Sequence, residues 1–263
     1  MKDKTFKKPI VLFLLFAFGL PLICVLIVTH FRPFQSGALN FILYGIEAMT
    51  PTLSALIVTA ILGGSAGVLA FLKKCYVDHI KISCIILAVL LPLLLLVITK
   101  LTSLIFVVHI PPVAGISAKK LIIVMWALLA EELGWRGFLQ EKLDKRYGYF
   151  ATPLILGIIW AFWHYHFFWL GSMSLPFILF MLGCVTESYG YYWVTKKSMG
   201  NVIPASIWHF TGNLFINLFL INPEYNQGSR IPYMLFVVYS TIMAIGITIW
   251  GVRTRALTVH TNG

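Results

Sequence analysis

Leu121-Ile122-Ile123-Val124-Met125-Trp126-Ala127-Leu128-Leu129-Ala130-Glu131-Glu132-Leu133-Gly134-Trp135-Arg136-Gly137-Phe138-Leu139 joins an apolar run to an acidic pair and an arginine. The run is greasy enough to enter a bilayer, and three ionisable residues follow it directly. Each charge inside a membrane costs at least ~2.5 to 3.5 kcal/mol, so the stretch demands local compensation. On a helix, positions four apart share a face while neighbours point ~100° apart. Glu132 is therefore expected to pair with Arg136, and Glu131 to face elsewhere.

The composition around this stretch agrees with a membrane. Of 263 residues, 59% are hydrophobic and 11% charged, and mean hydropathy is +0.89, whereas soluble domains carry about 25% charged residues. The chain reads as an all-α polytopic membrane protein, a bundle of about eight transmembrane helices forming one integral membrane domain over 1–263. Expected spans are 9–28, 38–62, 82–108, 118–142, 150–170, 175–194, 202–221 and 231–251, each near the ~20 residues that cross a bilayer. The first is too long for a signal-peptide core and is expected to be retained. Pro51 should interrupt the second, which ends in the flexible Gly63-Gly64-Ser65-Ala66-Gly67, with a basic loop at Lys73, Lys74 and Lys81. Pro92 marks a kink in the third, which His109 closes.

Eight crossings put both ends on one side. With the N-terminus inside, cytoplasmic segments hold fourteen basic residues: Lys2, Lys4, Lys7, Lys8, Lys73, Lys74, Lys81, Lys142, Lys145, Arg146, Lys196, Lys197, Arg253 and Arg255. The opposite side holds five, Arg32, Lys100, Lys119, Lys120 and Arg230. This is the asymmetry of the positive-inside rule, and it predicts a multi-pass protein of the cell membrane with both termini cytoplasmic. The net charge of +11 collects between the spans, so anionic lipid is the expected partner and nucleic acid is not. Cys24, Cys75, Cys84 and Cys184 lack CxxC spacing and read as small buried hydrophobes.

Ionisable residues within membrane spans are functional candidates by default. Besides Glu131, Glu132 and Arg136 these are Glu47, His164, His166, Glu187 and His209, with Asn213 four residues beyond His209 and on its face. His164 and His166 point ~200° apart on a helix, so only one can meet the others. At ~1.5 Å per residue, Glu131, His164 and His209 can share one layer. A buried carboxylate, two histidines and an amide have the parts to activate water: Glu131 as base, His209 and Asn213 as oxyanion donors, or the histidines as metal ligands. Spacing alone does not choose, and there is no HExxH run. Blander readings fit the same residues. The acidic pair with Arg136 suits an ion-paired helix end at the cytoplasmic interface, and His209 with Asn213 suits interhelical hydrogen bonding. His166 suits an aromatic belt, Glu187 a packed or snorkelled group and Glu47 a structural one.

Glu131-Glu132-x-x-x-Arg136, Trp160-x-x-x-His164 and His209-x-x-x-Asn213, in this order on separate helices, resemble the CPBP intramembrane proteases. That family includes type II CAAX prenyl endopeptidases and the lysostaphin-resistance-like and bacteriocin-immunity membrane proteins. The resemblance covers about 121–220, inside a protease-like core of 118–221. Phe162-x-x-x-His166 also fits the second motif, less closely than the tryptophan-rich run ending at His164. The resemblance implies an eight-helix bundle with a site in the membrane, open toward the cytosol, that cleaves membrane-associated, prenylated CAAX-type or small peptides. It implies that Glu131 activates water with help from His164, that His209 and Asn213 stabilise the oxyanion, and that Glu132 and Arg136 shape the site. It leaves open whether one divalent metal such as zinc is held through His164 and His209. Two other functions use buried Glu and His: a proton-coupled transporter, and a non-enzymatic immunity or scaffold membrane protein. Many transporters would repeat the motif set in their other half, and this chain does not.

Overall fold

The computed structural model describes residues 2–30, 37–107 and 110–260, and among them every regular element is helical. Arg32 and His109 lie outside the described residues, as do the side chains of Lys2, Lys4 and Arg255. The long elements are α1 (Lys2–His30), α2 (Gly37–Tyr76), α3 (Ile82–Phe106), α4 (Ala118–Ala130), α6 (Gly148–Trp163), α8 (Phe177–Lys197), α9 (Ile203–Leu218) and α10 (Ile231–His260). Short α5 (Gln140–Asp144) and α7 (Tyr165–Trp169) extend α4 and α6. Without water in the hydrocarbon, a helix satisfies its backbone groups within its own segment, which is why these apolar runs coil.

Four segments are long and apolar enough to cross a membrane by length and composition: Lys7–Ile27, Phe41–Tyr76, Ile82–Phe106 and Ile231–Arg253. The others, α4, α6, α8 and α9, are shorter or more polar, and they or their extensions carry every candidate residue except Glu47. Helices that line a polar site cannot be uniformly apolar, so their weaker hydropathy is part of the fold. In the bundle α4 packs between α2 and α9, α9 against α3 and α8, and α8 between α6 and α10.

Three expected spans are built differently. α2 runs straight through Pro51. The ring removes the N–H that would reach the Glu47 carbonyl, and the Thr50 hydroxyl takes that carbonyl instead at 2.7 Å. The break falls at Gly64 (φ 63°, ψ −164°), after which the chain is helical again to Tyr76. Lys73 and Lys74 thus sit on a helical arm and not in a loop. The fourth span is interrupted at the acidic pair: Glu131 leaves helical geometry (φ −122°, ψ −38°) and Leu133–Leu139 forms a π-helix. The fifth breaks at His164 (φ −72°, ψ 3°), so its two histidines do not share one continuous helix.

The basic segments gather on one face. Phe13 of α1 stacks on Phe138 at 5.2 Å, and Lys142 lies over the same ring. Lys74 pairs with Glu141 at 2.7 Å, Lys81 donates to the Lys197 carbonyl at 2.8 Å, and Lys197 lies 4.4 Å over Trp250 of α10. The opposite face joins 110–117, 170–176 and 219–230: the Ala114 N–H donates to the Leu218 carbonyl at 2.8 Å, and Ser174 donates twice to Glu224 at 2.6 and 2.8 Å.

Candidate active site

The π-helix begins the site. An ideal Cβ on Gly134 would sit 2.4 Å from the carbonyl carbon and oxygen of Pro51, so α2 approaches this turn as closely as a backbone can. Every residue from Leu133 to Leu139 is buried, and the wide turn throws Glu131 and Glu132 toward different neighbours.

Glu132 is 1% exposed. Its Oε1 accepts from Arg136 Nη1 at 3.1 Å, Oε2 lies 3.0 Å from the same nitrogen, and His209 Nδ1 reaches Oε1 at 2.8 Å. The expected pair is therefore a three-residue network. Arg136 Nε and Nη2 have no hydrogen-bond partner among the described residues. Its guanidinium lies between the faces of Trp160 and Tyr191, 4.6 and 4.0 Å from the ring centres, and cation–π attraction supplies what hydrogen bonds do not.

Among the described residues Glu131 receives one bond, from Trp160 Nε1 to Oε2 at 2.7 Å. The same tryptophan's carbonyl meets His164 Nδ1 at 2.8 Å, so Trp160 orients both members of the expected base pair of residues. A carbonyl only accepts, so Nδ1 of His164 carries the proton and a neutral ring turns its Nε2 lone pair outward. Glu132, bound by Arg136, also only accepts, which puts a proton on His209 Nδ1. A second ring proton on His209 would make its Nε2 a donor as well.

Glu131, His164, His209 and Asn213 line one cavity of about 250 Å³ with Trp160 and Glu187. His166 does not line it. That residue is fully buried, with Nδ1 on the Trp163 carbonyl at 2.8 Å and its ring against Phe167, which replaces the expected interfacial position. Glu187, expected to be packed or snorkelled, takes the Trp208 indole N–H at 2.9 Å. Its Oε1 is buried without a partner among the described residues. Glu47 is 2% exposed and lies outside the cavity lining. In the sequence Trp160 stands out only as the first residue of the motif ending at His164, and Trp208 not at all; the available signal was that each is an indole donor on a helix carrying a candidate histidine.

A metal is poorly served by these donors. Catalytic zinc takes three protein ligands, and among the described residues no three His, Cys, Asp or Glu side chains are grouped to hold an ion. All four cysteines are free and buried, as expected of small hydrophobes.

The cavity also sets two expectations about sidedness against each other. Along α4 it is lined at Lys120, Ile123, Val124, Ala127 and Glu131, and along α9 at His209, Gly212, Asn213, Ile216 and Asn217. It thus rises toward Ser172, Glu224 and Tyr225, away from the 142–146 face. Basic loops in the cytoplasm and a site open to the cytosol are incompatible in this arrangement.

Residues 114–215 match the family model described as type II CAAX prenyl endopeptidase Rce1-like. Among curated proteins the chain is 29% identical over 113 residues to CAAX prenyl protease 2 of Methanococcus maripaludis, a match covering 40% of this chain and 42% of that protein. The matched stretch takes in Glu131, Trp160 and His164 at the break after α6, and α9 through Asn213, which are the parts that meet at the cavity. Residues 114–215 are thus similar to an Rce1-like domain, and the likeness covers less than half of this chain and of the Methanococcus protein.

Proposed function

We propose that this chain is an intramembrane endopeptidase whose Glu131 activates water for peptide-bond hydrolysis. One observation carries the reading: Glu131, His164, His209 and Asn213 line a single cavity inside an Rce1-like domain. Water in the cavity gives a proton to Glu131 as its oxygen attacks the substrate carbonyl carbon. His164, with Nε2 free to accept, orients that water. The developing oxyanion takes hydrogen bonds from His209 Nε2–H and the Asn213 amide. When the C–N bond breaks, Glu131 returns its proton to the leaving amine, and the products are a carboxylate and an amine. Glu132 and Arg136 do not touch substrate in this scheme; they hold His209.

The substrates are membrane-associated peptides or proteins. Beside the cavity, and sharing Tyr44, Ile123 and Trp126 with it, an apolar groove of about 380 Å³ runs between α2 and α4. It suits the apolar part of such a substrate, and the prenylated CAAX peptides named for the Methanococcus relative are one class to try. Purified protein in detergent is given prenylated and unprenylated peptides, and the products are sequenced by mass spectrometry. Internal cleavage that disappears in Glu131→Gln is expected; cleavage at full rate in that variant would refute the mechanism. Because no three-ligand set is formed among the described residues, chelation is expected to leave turnover intact. Loss on chelation with recovery on adding zinc would assign the step to a metal instead.

A further inference from the structure

Three helices and one connecting segment agree on where the cavity opens. It is lined by α4 toward its N-terminus, by α9 toward its C-terminus, by α8 toward its N-terminus and by the chain leaving α7 at Ser172. Its rim includes the exposed Ser172, Glu224 and Tyr225, whereas in the other direction 133–140 is buried throughout. Glu131 lies eleven positions from Lys120 along the chain, so it sits roughly 16 Å below the rim.

The two faces differ in charge. On the rim face the described loops and helix ends hold Lys119, Lys120 and Arg230; the other face holds Lys7, Lys8, Lys73, Lys74, Lys81, Lys142, Lys145, Arg146, Lys196, Lys197 and Arg253. Short basic segments stay in the cytoplasm because translocating them is unfavourable. We propose that the cavity opens on the extracytoplasmic side, and that its substrates are peptide segments presented at that surface: exported membrane-bound peptides or the outer ends of membrane proteins. This rests on the endopeptidase reading for the word substrate, and on the placement of helices and charges for the side. It runs against the cytosolic opening that the family resemblance implies.

Two measurements test it separately. Ser172→Cys at the rim and Lys145→Cys on the basic face are expressed in whole cells and exposed to a membrane-impermeant maleimide, with the unsubstituted chain and its four buried cysteines as background. Ser172→Cys is expected to label in intact cells and Lys145→Cys only after permeabilisation; any other pattern overturns the proposal. In parallel, a charged reporter peptide is added to detergent-solubilised protein and to sealed vesicles of each orientation. Right-side-out vesicles are expected to cleave it at least ~10-fold faster than inverted ones, since each charge on the peptide opposes passage through the hydrocarbon. Cleavage confined to inverted vesicles overturns the sidedness while leaving the endopeptidase intact. No cleavage even in detergent overturns the endopeptidase reading, and the maleimide result then decides the side of the cavity alone.

Discussion

The two ends of the site handle charge in opposite ways. At the closed end, Glu132, Arg136 and His209 are at most 5% exposed, and the arginine is gripped between Trp160 and Tyr191. At the open end Lys120 meets the Tyr225 hydroxyl and Glu224 meets Ser174, among exposed or half-buried groups. Buried ion pairs add little net stability but are severe to break, so the closed end fixes geometry. Net, an ordinary hydrogen bond is worth only about 0.5–1.5 kcal/mol, so the open end is the more loosely tied of the two. Glu131 sits at the boundary and has a single donor among the described residues, an arrangement that suits the base proposed above.

The strongest way to break this contrast is at Glu131. Glu131→Gln keeps the shape and an acceptor for Trp160 but removes the base, so turnover per folded molecule should fall by ~10²- to 10⁴-fold with melting temperature little changed. Its neighbour should fail differently. Glu132→Gln leaves Arg136 without its counter-charge and His209 without its ionic acceptor, and an unpaired buried cation costs ~3 to 5 kcal/mol. Thermal unfolding in detergent should show early melting together with lost activity. If instead Glu131→Gln melts early and Glu132→Gln is stable and inactive, the roles are exchanged.

The contrast between these neighbours was half legible in the sequence. The Glu132–Arg136 contact follows from a spacing of four and needs no knowledge of other helices. Its bridge to His209 and the bond from Trp160 to Glu131 span 77 and 29 residues, and no local pattern fixes the rotations that bring them together. The eight-helix bundle was readable because apolar length is a property of each segment. The breaks were not, because the turn at Glu131 accompanies the contact of Gly134 with Pro51, 83 positions away. Pro51 misled for a local reason: the hydroxyl of Thr50 repairs the carbonyl that proline leaves open.

That contact supplies a sharper test of the two ends by one chemical change. Gly134→Ala puts a methyl 2.4 Å from the Pro51 main chain, which cannot swing aside. Overpacking of this kind costs about 1–3 kcal/mol. Gly212→Ala, on the cavity wall of α9 with nothing within 4 Å of its ideal Cβ, should hold or gain up to ~1 kcal/mol through reduced freedom of the unfolded chain. Comparable melting losses in both would mean that the closed end is no more tightly built than the open one.

The smallest expected effect is at the basic face, where the closed end meets water. Burial of Glu141 acting alone would raise its carboxyl, but Lys74 at 2.7 Å, with Lys142 and Lys145, holds it down at about 2 from the ordinary 4.5. A carboxyl lowered by folding contributes stability that is complete above its unfolded value and is lost as pH falls through its folded value. The clamp from the α2 arm to α5 should therefore act fully above pH 4.5 and fade toward about pH 2. Because Lys74 and Glu141 side chains are 34% and 32% exposed, water screens the pair, and ~0.2 to 1 kcal/mol is the expected size. Melting curves of the native chain and Glu141→Gln should lie apart by no more than ~2 to 4 °C at neutral pH and converge in acid. A gap that persists at low pH would show that Glu141 supports the closed end by packing and not by charge.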